Sequence, residues 1–344
     1  MDARVTTQLL VATSGLDPRR VQAVVPPGCW TAPLTPAASE VDDARGEATL
    51  ALTTWTPRTP VRHLLPAFSP LTDVDWSGRF ELSVHADGEW SPWIGTASLG
   101  PAVFEPLPGA AEAIAAEIDV FVARRPAAAV RFRLRLSARD VRAVLAAPWL
   151  LTLSVSDASG DGPQPTPVST PPDAARQRVR LPVPPLSQMG EDPAIALRVC
   201  SPASVAMVLG FWGRPVGVAA LAAEVYHAGL DLYGIWPAAI RAAAHRGVAG
   251  YLLRFPDWDA AAWCLARGLP VIASIRYDTG ELTGAAVEAT TGHLIVLTGT
   301  EDDTVLVNDP AGSDEGTVAR RYPRAELQRA WLERTGVGYV LFAP

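Results

Sequence analysis

Cys200 is one of three cysteines in 344 residues, and it stands in "RVCSPASVAMVLGFWG" at the start of an amphipathic pattern. Val205, Val208, Leu209 and Trp212 fall at i, i+3, i+4 and i+7, so the stretch reads as a helix with one buried face. Ser201 is placed to act as its N-cap and Pro202 as its first-turn proline, with Gly213 as the terminator. A sulfur at the positive end of a helix is favoured as thiolate, the nucleophilic form of cysteine. A buried, inert cysteine is the commoner case, so chemistry here requires a base.

Of the five histidines, His293 stands where a base is useful. It opens an apolar strand in "TTGHLIVLTGTEDDTVLVNDPAG", and "TEDD" (300–303) turns into a second strand that ends at Asp309-Pro310. Positions 293 and 309 are equidistant from residue 301, so hairpin arithmetic puts His293 opposite Asp309 or nearly so. A carboxylate there fixes the imidazole tautomer and frees the other ring nitrogen for a thiol. Upstream, "VPPLSQMG" presents Gln188, whose side-chain amide could face an oxyanion together with the Cys200 N–H. His227 and His245 sit at predicted helix ends and read as structural.

These residues need elements to hold them. The first half carries short alternating runs at 48–55, 79–95, 129–136 and 150–157. In the third, Val130, Phe132, Leu134 and Leu136 share one face and Arg131, Arg133 and Arg135 the other, which predicts an antiparallel sandwich over 1–160. Five prolines between 157 and 177 mark an extended linker, placed at 161–178. From 179 to 344 helices are expected at 202–212, 216–227, 236–246, 257–267 and 323–334, with strands at 270–277, 293–299, 304–308 and 337–342. That order gives an α+β second domain.

Composition narrows the function. Net charge is −7, lysine is absent and no basic block occurs, which argues against nucleic acid as partner. Three cysteines make no disulfide framework or metal-ligand spacing, and no apolar run is long enough to span a membrane. The N-terminal apolar island "LLVAT" is too short for a signal peptide, so the chain reads as cytoplasmic as written.

In order, "VPPLSQ", "CSPASVAMVLGFWG", "GLPVIASI", "TTGHLIVLTG" and "VLVNDPA" resemble the bacterial cysteine peptidases related to the bacteriocin-leader (double-glycine) peptidases, family thirty-nine of the cysteine peptidases. The resemblance covers about 181–344, and its stand-alone branch fits, since no transporter domain follows. It implies a papain-like fold with Cys200 as nucleophile, His293 as general base and acid, Asp309 as orienter and Gln188 in the oxyanion hole. It further implies a peptide or protein substrate and no metal or organic cofactor; many stand-alone relatives carry a secretion signal, so the compartment stays open between cytoplasmic as written and extracellular by analogy. An amidase or acyltransferase uses the same chemistry. A binding protein is the alternative of another class: an inactive papain-like domain beside a sandwich whose tryptophans (30, 55, 76, 90, 93, 149) hold a glycan or peptide.

Overall fold

The computed structural model describes residues 6–58, 60–157 and 178–344. The linker expected at 161–178 lies, apart from residue 178, outside them. The described first half is two antiparallel sheets. One has five strands in the order Thr7–Ser14, Trp149–Ser156, Val61–Pro70, Val120–Ala127 and Ile114–Glu117. The other runs Pro36–Asp42, Glu47–Leu52, Ala129–Ala138, Trp76–Ala86 and Glu89–Trp90, with Ile94–Gly95 also paired to Trp76–Ala86. "LLVAT" is thus the inner part of an edge strand, and four further strands emerge that weak alternation had hidden.

Alternation decides which way each strand faces. Val130, Phe132, Leu134 and Leu136 enter the core between the sheets, with Phe80 stacked on Phe132. The arginines between them point outward. Arg131 lies 3.8 Å over the Trp90 ring and Arg133 lies 4.1 Å over Trp93. Trp76 and Trp149 are core. Trp30 and Trp55 are partly buried against the cores, so of the six tryptophans of the first half four pack in or against a core and the other two carry a stacked guanidinium.

The second half is one mixed layer of helices on a seven-stranded antiparallel sheet. Its order is Ala249–Arg254, Val337–Phe342, Val271–Tyr277, Thr290–Glu301, Thr304–Asn308 and Ala319–Pro323, with Val179–Arg180 also paired to Thr290–Glu301. Five helices correspond to those expected, at Cys200–Phe211, Val218–Val225, Trp236–Ala244, Trp258–Ala266 and Arg324–Trp331. The strands Ala249–Arg254 and Ala319–Pro323 escape sequence reading. The first, fully buried on both faces, shows no period of two.

The halves share a core. Ala249–Arg254 is an edge strand, and the outer face of the five-stranded sheet covers it. Ser69 Oγ accepts the Gly250 N–H at 3.1 Å and Ser154 Oγ accepts the Arg254 N–H at 3.2 Å. Leu9, Val11 and Leu150 from the first half pack in one cluster with Tyr251, Leu253 and Phe255. An otherwise open sheet edge is thereby closed.

Glycine has one structural demand with a large consequence. A Cβ on Gly299 would lie 2.0 Å from the Val179 carbonyl oxygen, so only glycine lets the segment leading to Gln188 pair with the central strand. Gly299→Val is expected to destabilise the protein by about 2 kcal/mol or more, read as a lower midpoint in denaturant unfolding. An unchanged midpoint would show that Val179–Arg180 is not held by this pairing.

Candidate active site

The cysteine is the first residue of its helix, Cys200–Phe211. Two expectations about this helix change. Ser201 is not the N-cap: that position is Val199, without a side-chain cap, and the Ser201 hydroxyl lies 3.3 Å from Tyr339 Oη. Nor is the helix amphipathic, because residues 201–209 are buried on every side. Val205, Val208 and Leu209 share one buried cluster with Ile272 and Val296 of the sheet, Leu221 of the helix Val218–Val225, and Leu65 and Ala67 of the sandwich. A helix enclosed all round holds its first residue rigidly, which suits a group that must react at one angle.

His293 is 5 % exposed, on the strand Thr290–Glu301. Its Nε2 donates to Asp309 Oδ1 at 2.7 Å, and its side chain also hydrogen-bonds Cys200. With Nε2 engaged by Asp309, Nδ1 is the ring nitrogen left for the thiol. The hairpin arithmetic is right in its result and wrong in its register. The turn is the two residues Asp302-Asp303, and a bulge between Leu297 and Gly299 shifts the pairing, so Val296 faces Asn308. Continuing that register puts Ile295 against Asp309, and His293 reaches the carboxylate from two residues further along, within the span of a diagonal cross-strand pair.

Asp309 is fully buried and saturated. Besides His293, its Oδ1 accepts the Ala311 N–H at 3.0 Å, and Oδ2 accepts from the Tyr322 hydroxyl at 2.6 Å. Tyr322 belongs to the strand Ala319–Pro323, and the sequence carries no signal for it, since its partner is set by strand pairing.

Gln188 opens a single turn, Gln188–Gly190, and is 3 % exposed. Its backbone N–H donates to Pro310 O at 2.9 Å and Ser187 Oγ donates to Gly312 O at 2.5 Å, which ties this turn to the segment after Asp309. One Nε2 hydrogen is donated to Ala196 O at 2.7 Å. A second Nε2 hydrogen remains.

The surroundings move the protonation equilibria of the pair in opposite directions. Burial raises the Cys200 thiol, but the His293 hydrogen bond and charge, with the Leu294 and Ser201 N–H groups, outweigh it and bring the thiol below its ordinary value. Burial disfavours the His293 imidazolium, yet the Asp309 charge and the hydrogen bonds to Asp309 and Cys200 lift it to about 10. Burial raises Asp309 too, and His293, Tyr322 and the Ala311 N–H bring it down. The pair therefore favours thiolate and imidazolium. The other two cysteines differ. Burial pushes Cys29 up to about 12 and Cys264 well above its usual value, as befits packing groups.

The connection 278–292 leads from the strand Val271–Tyr277 to the strand that carries His293. Tyr277 Oη donates to Val287 O, and the Thr283 N–H donates to Glu326, which ties the connection to the helix Arg324–Trp331. His245 pairs with Glu224 at 2.9 Å, and His227 Nδ1 accepts the Leu230 N–H, both local structural contacts. Among the described residues no group of three or more His, Cys, Asp or Glu side chains could hold a metal ion, and no helix is long and apolar enough to cross a membrane.

Residues 180–339 match the model of the Peptidase_C39 like family. Among solved structures, the chain is similar to a double glycine motif protease from the AMS/PCAT transporter, solved in complex with the leader peptide. Identity is 20%, the match covers 48% of this chain and 97% of that one, and the TM-score is 0.33. It is also similar to the peptidase domain of Streptococcus ComA, a bi-functional ABC transporter involved in a quorum sensing pathway. There the identity is 17%, the coverage 47% and 99%, and the TM-score 0.33. No curated protein matches.

Proposed function

We propose how the thiol site works in a chain whose residues 180–339 form a papain-like domain of the Peptidase_C39 like family, and which is a cysteine peptidase. In this reading residues 179–344 are the catalytic domain and residues 1–160 an accessory domain. The observation that carries the mechanism is the continuous hydrogen-bonded line from Cys200 through His293 to Asp309, with the thiol lowered and the imidazole raised.

Cys200 thiolate attacks the carbonyl carbon of a peptide bond. The oxyanion that forms is held by the Cys200 N–H, one of the helix N–H groups without an intrahelical partner, and by the second hydrogen of Gln188 Nε2. His293 gives its Nδ1 proton to the departing amine, and a thioester to Cys200 remains. Now neutral, His293 takes a proton from water as that water attacks the thioester. The tetrahedral species collapses to a carboxylic acid product, Cys200 leaves as thiolate, and His293 is again imidazolium. Asp309 keeps its charge throughout and holds the ring with Nδ1 towards sulfur.

A peptidyl vinyl sulfone at stoichiometric dose tests the reading. It should label Cys200 and leave Cys29 and Cys264 untouched, read by peptide mass mapping. No labelling, or equal labelling of all three, would sink it. Gln188→Ala should still label but hydrolyse peptide about a hundredfold more slowly, since an oxyanion donor acts on the tetrahedral state. An unchanged hydrolysis rate would remove Gln188 from the mechanism.

A further inference from the structure

The sandwich reaches into the neighbourhood of the thiol through one strained turn. Between Ile114–Glu117 and Val120–Ala127, Ile118 takes a φ of 63°, a left-handed conformation that a β-branched residue enters only against strain. The Asp119 N–H closes onto Glu117 O at 2.8 Å. That turn aims the Asp119 side chain: it is buried, and its Oδ2 accepts the Trp236 N–H at 2.6 Å, across 117 positions of sequence. Trp236 begins the helix Trp236–Ala244, whose own N-cap residue, Ile235, offers no capping side chain. The helix therefore takes its cap from the other half of the chain. Burial pushes the Asp119 carboxyl up to about 7, against the Trp236 hydrogen bond and one from its own backbone, so this acid is kept inside at a cost.

The segment before that helix, residues 226–235, is held at two places. At its far end Ile235 is buried in the sandwich core, with Leu232 packed against it. Further in, at Asp231 and Tyr233, it meets Arg198, two positions before Cys200. Arg198 Nη2 donates to Asp231 O at 2.5 Å and pairs with the Asp231 carboxylate at 2.8 Å, and its guanidinium lies 5.2 Å over the Tyr233 ring. Tyr226 Oη donates to the same carboxylate at 2.8 Å. Tyr226 and Leu230 remain 39% and 40% exposed, free to meet a ligand. A second contact runs underneath: Val120, the residue after Asp119, packs in the cluster around the nucleophile helix together with Tyr339, whose hydroxyl meets Ser201.

We propose that Asp119 is a positioning residue for the thiol site, capping Trp236–Ala244 across the two halves so that residues 226–235 stand as the wall against which a peptide substrate is held beside Cys200. This rests on Cys200 being the nucleophile of the site. It makes the sandwich a working part of the peptidase, because the wall is rooted in it and the catalytic half supplies no cap of its own.

Two electrophiles of different size separate a wall from a general loosening. A peptidyl vinyl sulfone must lie along the wall to react, whereas iodoacetamide needs only the thiolate. In full-length Asp119→Ala, the vinyl sulfone concentration for half-maximal inactivation should rise about fivefold to tenfold, the factor expected from a lost cap. The iodoacetamide rate at Cys200 should stay within about twofold of wild type, and Asp119→Asn, which keeps a capping oxygen, should restore vinyl sulfone binding. Arg198→Ala should show the same split, and the double variant should lose less than the product of the two singles, since both hold one segment. Where circular dichroism shows that Asp119→Ala does not fold, Asp119→Ser, a weaker cap, is read in its place. A folded variant that binds the vinyl sulfone as wild type does, or that slows with both reagents alike, overturns the proposal. A wild-type protein that reacts with neither reagent at Cys200 overturns the thiol mechanism itself, and the two failures are thus told apart.

Discussion

Cys200→Ser and His293→Ala are each expected to lower peptide hydrolysis by about 10⁴-fold or more, and combining them should cost little beyond either alone. In the proposed mechanism the nucleophile exists only as a pair. The Cys200 side chain is half-buried, and desolvation by itself would hold it protonated; the His293 hydrogen bond and charge bring it down. Removing His293 takes away the largest of the causes that lower the thiol and leaves only the Leu294 and Ser201 N–H groups to oppose desolvation. Serine at 200 keeps a hydroxyl within reach of His293 but cannot supply an anion at neutral pH. Initial rates of peptide cleavage at matched concentrations of folded protein check this. A loss in His293→Ala of less than about tenfold would show that another group activates the sulfur. A double variant worse than the singles by their product would show that the two act independently.

Asp309→Asn should separate geometry from charge. The site asks position 309 for two acceptors at Oδ1, towards His293 and Ala311, and for one partner at Oδ2, the Tyr322 hydroxyl. Asparagine satisfies all three if its Nδ2 faces Tyr322 and that hydroxyl turns to accept. The ring therefore stays in place, but the negative charge that lifts His293 to about 10 is gone. His293 falls towards its ordinary range and Cys200 rises in step, so the thiolate–imidazolium pair is favoured less. The sign follows directly: with Asp309 the pair persists up to about pH 10, where His293 gives up its proton. In Asp309→Asn the high-pH limb of kcat/KM should move to lower pH and the low-pH limb to higher pH, narrowing the active window. At neutral pH the loss should be about a hundredfold, as for removal of a buried charge worth one to three pKa units. Asp309→Ala should lose more and also unfold earlier, because it orphans three buried donors. An Asn variant with the wild-type pH profile would show that Asp309 acts by hydrogen bonding alone.

Much of the candidate site was legible because its signals are local. Cys200 precedes a helix, His293 and Asp309 flank one hairpin, and both patterns survive in a linear reading. The register was legible only to within two residues, since the bulge beside Thr298 has no sequence mark that alternation reveals. Ser201 illustrates the limit in another way. Its type suits a cap, yet enclosure of the whole helix turned its hydroxyl to Tyr339, a residue 138 positions away. Tyr322 and Asp119 were invisible for the same reason. Each acts through a partner on another strand or in the other half, and nothing in local propensity encodes such a meeting.

The sequence by itself determined the residue types that the proposed mechanism uses, the order in which they come, the sandwich-like first half and the α+β second half. These follow from periodicity and from side-chain chemistry, which are properties of short stretches. Only the tertiary structure decided that Cys200 is a low thiol while Cys29 and Cys264 are not, since all three are cysteines and burial alone raises each of them. The difference is made by charges and donors brought from residues 293, 294 and 201. Electrostatics fall off over a few ångströms, so a cysteine's reactivity belongs to its neighbours in space.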